Sequence, residues 1–210
     1  MPAAVTSPHR RGRRFPRRFY RRDPVTVARA LLGQKLVRVI GQQRMAGMII
    51  ETEAYLGAMD KAAHTYQGRR TRRNQSMWGD GGHTYVYFTY GMHHCLNVVA
   101  SVIDDPVAVL IRALEPVEGI KLMYARRPAA CRETDLCSGP GRLCQALGID
   151  RTLDGVDLVD CEHLFIEQQQ RRHDPRQVRA KPRIGINYAE QWARKPLRFL
   201  LSGNRYVSRP

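Results

Sequence analysis

The sequence predicts a single mixed α/β domain of the α+β kind, with a mostly antiparallel sheet and a protruding β-hairpin. Three observations carry this. Strand-like segments follow one another through turns, as antiparallel neighbours do. Helical stretches with recognisable start and stop signals lie before and after them. No repeat or second compositional zone divides the 210 residues, and their hydrophobic content of 43% is ordinary for one packed core.

Residues 1–22 hold eight arginines and no acid, so they cannot bury a core. A basic, disordered tail is expected over 1–18 and the domain over 19–210, with Phe19 and Tyr20 docking on it. The tail reads equally as a sequence-independent phosphate-binding arm and as a solubilising segment. In "DPVTVARALLG", Asp23 caps a helix, Pro24 takes its first position and Gly33 ends it. "KLVRVIG" and "AGMIIETEAYL" read as strands joined by a turn at residues 41–45. "GAMDKAAHTYQGRRTRRNQSMWGDGG" is a long polar connection with one helical turn, and such loops are often functional.

"TYVYFTYGMHHCLN" alternates, breaks at Tyr90-Gly91-Met92 and resumes, which describes a hairpin. "VAVLIRALEP" is nearly continuously apolar, as a central strand would be. Helices are expected in "EPVEGIKLMYARR", "SGPGRLCQALGI" and "AEQWARK", and late strands in "RIGIN" and "PLRFLLSG".

The formal charge is +16, which calls for a polyanionic partner, nucleic acid or an anionic membrane. No stretch spans a bilayer, no amphipathic helix serves a membrane surface, and the N-terminus lacks the apolar run of a signal peptide. A cytoplasmic protein is expected, nucleoid-associated in a bacterium or nuclear in a eukaryote. Five cysteines without a CxxC argue against a disulfide framework or a cysteine zinc site.

Four groups of residues could carry chemistry. On a strand, Glu51, Glu53 and Tyr55 share one face. Pairing with arginine is expected for Glu51. A perturbed carboxylate is expected for Glu53, which is followed by Asp60 and His64. Arg69, Arg70, Arg72 and Arg73 form a basic cluster suited to phosphate. Tyr85 and Tyr87 share a hairpin face and would ordinarily pack. Tyr90, with Met92 beside it, sits at a tip that cannot bury a ring in its own domain, so it suits a wedge between bases. Finally, Asn97 and Arg112 are polar residues in apolar strands. Arg112 there needs an anion, either Glu53, Glu115 or a phosphate.

"ETEAYLGAMDKAAHTYQGRRTRRN", "YVYFTYGMHHCLN", "VLIRALEPVEG", "LCSGPGRLCQALGI" and "WARKPLRF" together resemble the alkyladenine (3-methyladenine) DNA glycosylase family. The blocks occur in family order over roughly residues 20–208. The resemblance implies excision of alkylated or deaminated purines from double-stranded DNA. It makes Glu53 the general base and Tyr90 the intercalating wedge. Tyr55, His64 and Tyr87 would sandwich the extruded base. Asn97 would screen out guanine, and Arg112 would orient the catalytic water and a phosphate. No cofactor or metal is implied, and a monomer suits one lesion at a time. Two departures bear on pocket shape. The segment between Asn97 and Arg112 is longer than in mammalian members, and Trp78 stands where a phenylalanine-like residue is expected.

Only five lysines occur, none in these pocket motifs, so a monofunctional enzyme is expected. Two competing readings are a metal-dependent nuclease built on Glu51, Glu53, Asp60 and His64, and a non-catalytic protein that kinks DNA with Tyr90.

Overall fold

The computed structural model describes residues 12–170 and 174–209. Its framework is an eight-stranded sheet in which every described pairing is antiparallel. The strands are β1 (Lys35–Ile40), β2 (Gln43–Tyr55), β3 (Thr84–Thr89), β4 (His93–Ala100), β5 (Val107–Glu118), β6 (Leu164–Glu167), β7 (Val178–Lys181) and β8 (Arg198–Leu201). Their order is β3-β4-β5-β2-β1-β6, and β8 lies between β2 and β7. The central place expected for "VAVLIRALEP" is therefore that of β5.

The long strand β2 organises the site. Its first half pairs with β1 as far as Met48, and its second half takes β8 from Glu51 onward. A register shift against β5 falls at this changeover, on either side of Glu51. Such an irregularity bends a strand and re-aims its side chains. Beyond it, Thr52 and Ala54 face the main core, with Thr52 Oγ1 donating to the carbonyl of Ala28 at 3.0 Å. Glu53 and Tyr55 consequently face the other way.

The main core lies under α1 (Arg17–Tyr20), α2 (Pro24–Leu31), α3 (Ile120–Arg126), α4 (Glu133–Cys137) and α5 (Pro140–Leu147). As expected, Asp23 caps α2 through Thr26 N–H (3.0 Å), and Pro24 opens it. Pro140 opens α5, and Gly148, at φ 62°, closes it. A short α6 (Gln191–Arg194) precedes β8.

Some boundaries differ from expectation. The first turn is tighter, with Ile40 already opposite Gln43. "EPVE" belongs to β5, and the helix starts only after Gly119 turns the chain at φ 72°. "RIGIN" is not a strand. Ile184 N–H is committed to a carboxylate and Gly185 has φ 79°, both incompatible with a regular ladder. The long connection contains three 3-10 turns rather than one helical turn.

The expected tail falls partly on residues 1–11, which lie outside the described residues. From Gly12 onward the chain packs on the domain. Arg14 donates to the carbonyl of Cys161 (2.7 Å) and lies over Phe165. Arg17 pairs with Asp157, Arg21 pairs with Asp80, and Phe15 stacks on Phe19.

Candidate active site

On strands β2 to β5, residues two apart share a face. That rule brings Glu53 and Tyr55, Tyr85 and Tyr87, Cys95 and Asn97, and Leu110 and Arg112 to the sheet face turned away from the main core. There they line one cavity of about 360 Å³, at the lower end of small-ligand sites. His64 from the long connection completes a wall, and Tyr90 stands at the rim.

Glu53 is fully buried at this cavity. Its Oε1 accepts from Ile184 N–H at 2.9 Å and lies 3.4 Å from Arg112 Nη1. Its Oε2 accepts from the Tyr55 hydroxyl at 2.9 Å. Burial raises its pKa, against the lowering effects of Arg112 and the two hydrogen bonds. Arg112 Nε also lies 3.2 Å from Glu51 Oε1, so the guanidinium is held between two carboxylates. Glu51 is otherwise tied to Arg198 (2.8 Å) and to Ser208 N–H (2.7 Å), the arginine pairing expected of it.

The aromatic walls brace one another. His64 Nδ1 lies 2.8 Å from the Tyr85 hydroxyl, and its ring meets Tyr87 edge-on at 4.6 Å between centroids. One edge of His64 stays open to solvent. Packing of the rest, with Arg73 and Arg69 nearby, lowers its pKa to about 4. The imidazole is therefore neutral at neutral pH. Asn97 is fixed by donating Nδ2 to the carbonyl of Tyr85 at 3.0 Å.

At the tip, Tyr90 is 80% exposed and Met92 70%. The basic residues diverge. Arg73 donates to the carbonyl of Phe88, while Arg70 is tied to Asp104 and Gln75 and lies over Trp78. Arg69 and Arg72 have no carboxylate partner among the described residues. The Trp78 and β4–β5 departures thus meet at one place, since Asp104 N–H also donates to the carbonyl of Trp78.

Residues 18–205 match the family described as methylpurine-DNA glycosylase (MPG). The chain belongs to that family. Relatives named "Putative 3-methyladenine DNA glycosylase" include one from Clostridium perfringens (strain SM101 / Type A), 41% identical over 93% of this chain and 99% of its own length. Another, from Bacillus cereus (strain AH187), is 43% identical over 92% and 98%.

Several residues of this methylpurine-DNA glycosylase family member escaped the sequence reading. Tyr85 was expected merely to pack, yet it also holds His64. Cys95 lines the cavity, and the two-residue period through Asn97 could have shown it. Ile184 acts through its backbone, which no side-chain pattern reveals. Asp60 accepts from Arg183 Nη1 (2.5 Å) and Nη2 (2.8 Å) in a fully buried pair, and Arg183 lies over the Tyr55 ring at 4.6 Å. Glu51 and Asp60, which a metal-dependent nuclease would need as ligands, are thus taken up by arginines. Among the described residues no three His, Cys, Asp or Glu side chains group as a metal site would.

Proposed function

We propose that the protein draws an alkylated or deaminated purine nucleotide out of duplex DNA into this cavity and hydrolyses its N-glycosidic bond, leaving an abasic site. By family it is a DNA glycosylase, a hydrolase of DNA repair. The observation that carries the finer reading is the buried Glu53, set beside Arg112 in an aromatic-walled cavity.

Extrusion costs a few kcal/mol of stacking and pairing. Tyr90 in the vacated stack and phosphate contacts from Arg69 and Arg72 offset it. The base then lies between Tyr55 on one side and Tyr87 with His64 on the other. Aromatic stacking is worth about 1–3 kcal/mol per base, and an alkylated, cationic purine gains further on electron-rich faces. A neutral His64 adds no opposing charge.

A carboxylate oxygen accepts about two hydrogen bonds. Glu53 Oε1 already faces two donors and Oε2 one, so Oε2 keeps a lone pair for a proton. In the reaction, water attacks the anomeric carbon, the bond to the base nitrogen breaks with its electron pair leaving on the base, and Glu53 takes the water's proton. A cationic alkylated purine thus departs neutral, while a neutral deaminated one departs as an anion and takes a proton from solvent water. Its charge also stabilises the cationic sugar, as carboxylates do in glycoside hydrolysis. A strand-cleaving enzyme would instead need an amine nucleophile. Among the described residues, no lysine lines the base cavity, and Lys61 in the adjoining one pairs with Glu190. Among the described residues no helix is long and apolar enough to cross a membrane.

The test is incubation in EDTA with duplex containing one hypoxanthine, and separately with methylated DNA. Free base and alkali-labile sites are expected, with no borohydride-trapped adduct. Tight binding without base release would favour the architectural reading, and loss of activity in EDTA the nuclease.

A further inference from the structure

Tyr188 belongs to none of the groups considered so far. It is 63% exposed, yet the chain around it is held tightly. At one end of its segment Arg183 is locked to Asp60 and Ile184 donates to Glu53. At the other, Glu190 pairs with Lys61 and adopts φ 52° and ψ −126°, a region that side-chain-bearing residues rarely enter. Between these ties Ile186 and Ala189 are buried with Ala62, Trp192 and Leu197, and this cluster packs against Tyr55. Strain of this kind persists only where surrounding contacts impose it, and it gathers at functional sites. The outcome is an exposed ring held on a rigid strap.

The strap delivers that ring to a particular place. Tyr188 lines the base cavity, as Tyr90 does, and also lines a second cavity of about 570 Å³. Arg69, Arg73 and Lys61 border this second cavity, and Ala63, His64 and the buried Tyr85 border both, as the exposed Tyr188 does. An extruded nucleotide joins a base to a phosphate through its sugar. A ring shared by an aromatic cavity and a basic one stands where that join passes.

We propose that Tyr188 is a positioning residue that packs over the extruded nucleoside at the cavity mouth and slows its return to the duplex. This rests on the base-extrusion reading above. Packing on a ring is sequence-tolerant and needs no hydroxyl, so phenylalanine should substitute.

The test uses the full-length chain and a duplex carrying one hypoxanthine beside a 2-aminopurine, whose fluorescence rises when its neighbour leaves the stack. Tyr188→Ala and Tyr188→Phe are compared with wild type, and again in a Glu53→Gln background where the lesion persists. Tyr188→Ala is expected to lower both the extruded fraction, as an equilibrium constant, and the single-turnover release rate by about tenfold, within the range of base–aromatic stacking. Tyr188→Phe should stay within about twofold of wild type on the same grounds. Affinity for undamaged duplex and the melting temperature should not change. Unchanged extrusion in Tyr188→Ala would overturn the proposal, and so would an equal loss of affinity for damaged and undamaged DNA, which would mark an ordinary backbone contact. Failure of the hydrolytic reading looks different: Glu53→Gln would release base normally, whatever stands at position 188.

Discussion

Glu53, the base proposed above, is a fully buried acid. Burial alone favours its protonated form, while Arg112, Ile184 N–H and the Tyr55 hydroxyl favour the anion. Burial prevails in direction, so activity should rise with pH as Glu53 ionises, with a midpoint above the ordinary value of about 4.3. A rate profile measured on hypoxanthine DNA checks this, and a midpoint at or below the ordinary value would count against it. His64 runs the other way. Its folded pKa of about 4 lies below its ordinary value near 6.5, so it contributes stability above pH 6.5 that fades as pH falls toward 4. An NMR titration should place its midpoint near 4. That Glu53 and Tyr55 share one face was legible because strand alternation is a strict geometric rule, while the roles proposed for them came from the family resemblance. Ile184 was not, because a backbone N–H has no signature in sequence, and the strand pattern of "RIGIN" pointed away from it.

The hairpin joining β3 and β4 and the 183–190 strap are the elements that bound the mouth. Tyr90 and Gly91 have φ of 50° and 66°, the positive values that tight hairpin turns require. Glycine adopts this readily, whereas a tyrosine costs about 1–2 kcal/mol. Tyr90→Gly is therefore expected to leave the melting temperature unchanged or slightly raised while lowering excision. A variant that excised normally would remove the ring's proposed role. The strap's anchor should behave oppositely. Arg183→Ala leaves Asp60 buried and unpaired, a loss of about 3–5 kcal/mol. For a chain of this size that is roughly 10 °C in melting temperature. The hairpin could be recognised from its turn residues. The strap could not, because Arg183 and Asp60 lie far apart in sequence and either could have been a surface charge.

At the scale of the entire chain, the arginines behind the +16 charge divide into two groups. Arg14, Arg17, Arg21, Arg112, Arg183 and Arg198 are spent on the protein's own carboxylates and carbonyls. Arg69 and Arg72, which have no carboxylate partner among the described residues, are the two proposed to meet phosphate. Removing both should flatten the slope of log affinity against log salt by nearly 2 for undamaged duplex, since each phosphate contact contributes about 0.9. An unchanged slope would place the DNA elsewhere. Charge counting alone could not make this division, because a sequence does not say which arginines are buried.

Wild type and Glu53→Gln should be compared for single-turnover base release and for affinity, on one hypoxanthine-containing duplex. The glutamine variant should bind as wild type does yet release base about 10²–10⁴-fold more slowly, the usual contribution of a general base. Release at the wild-type rate would contradict the role assigned to this carboxylate.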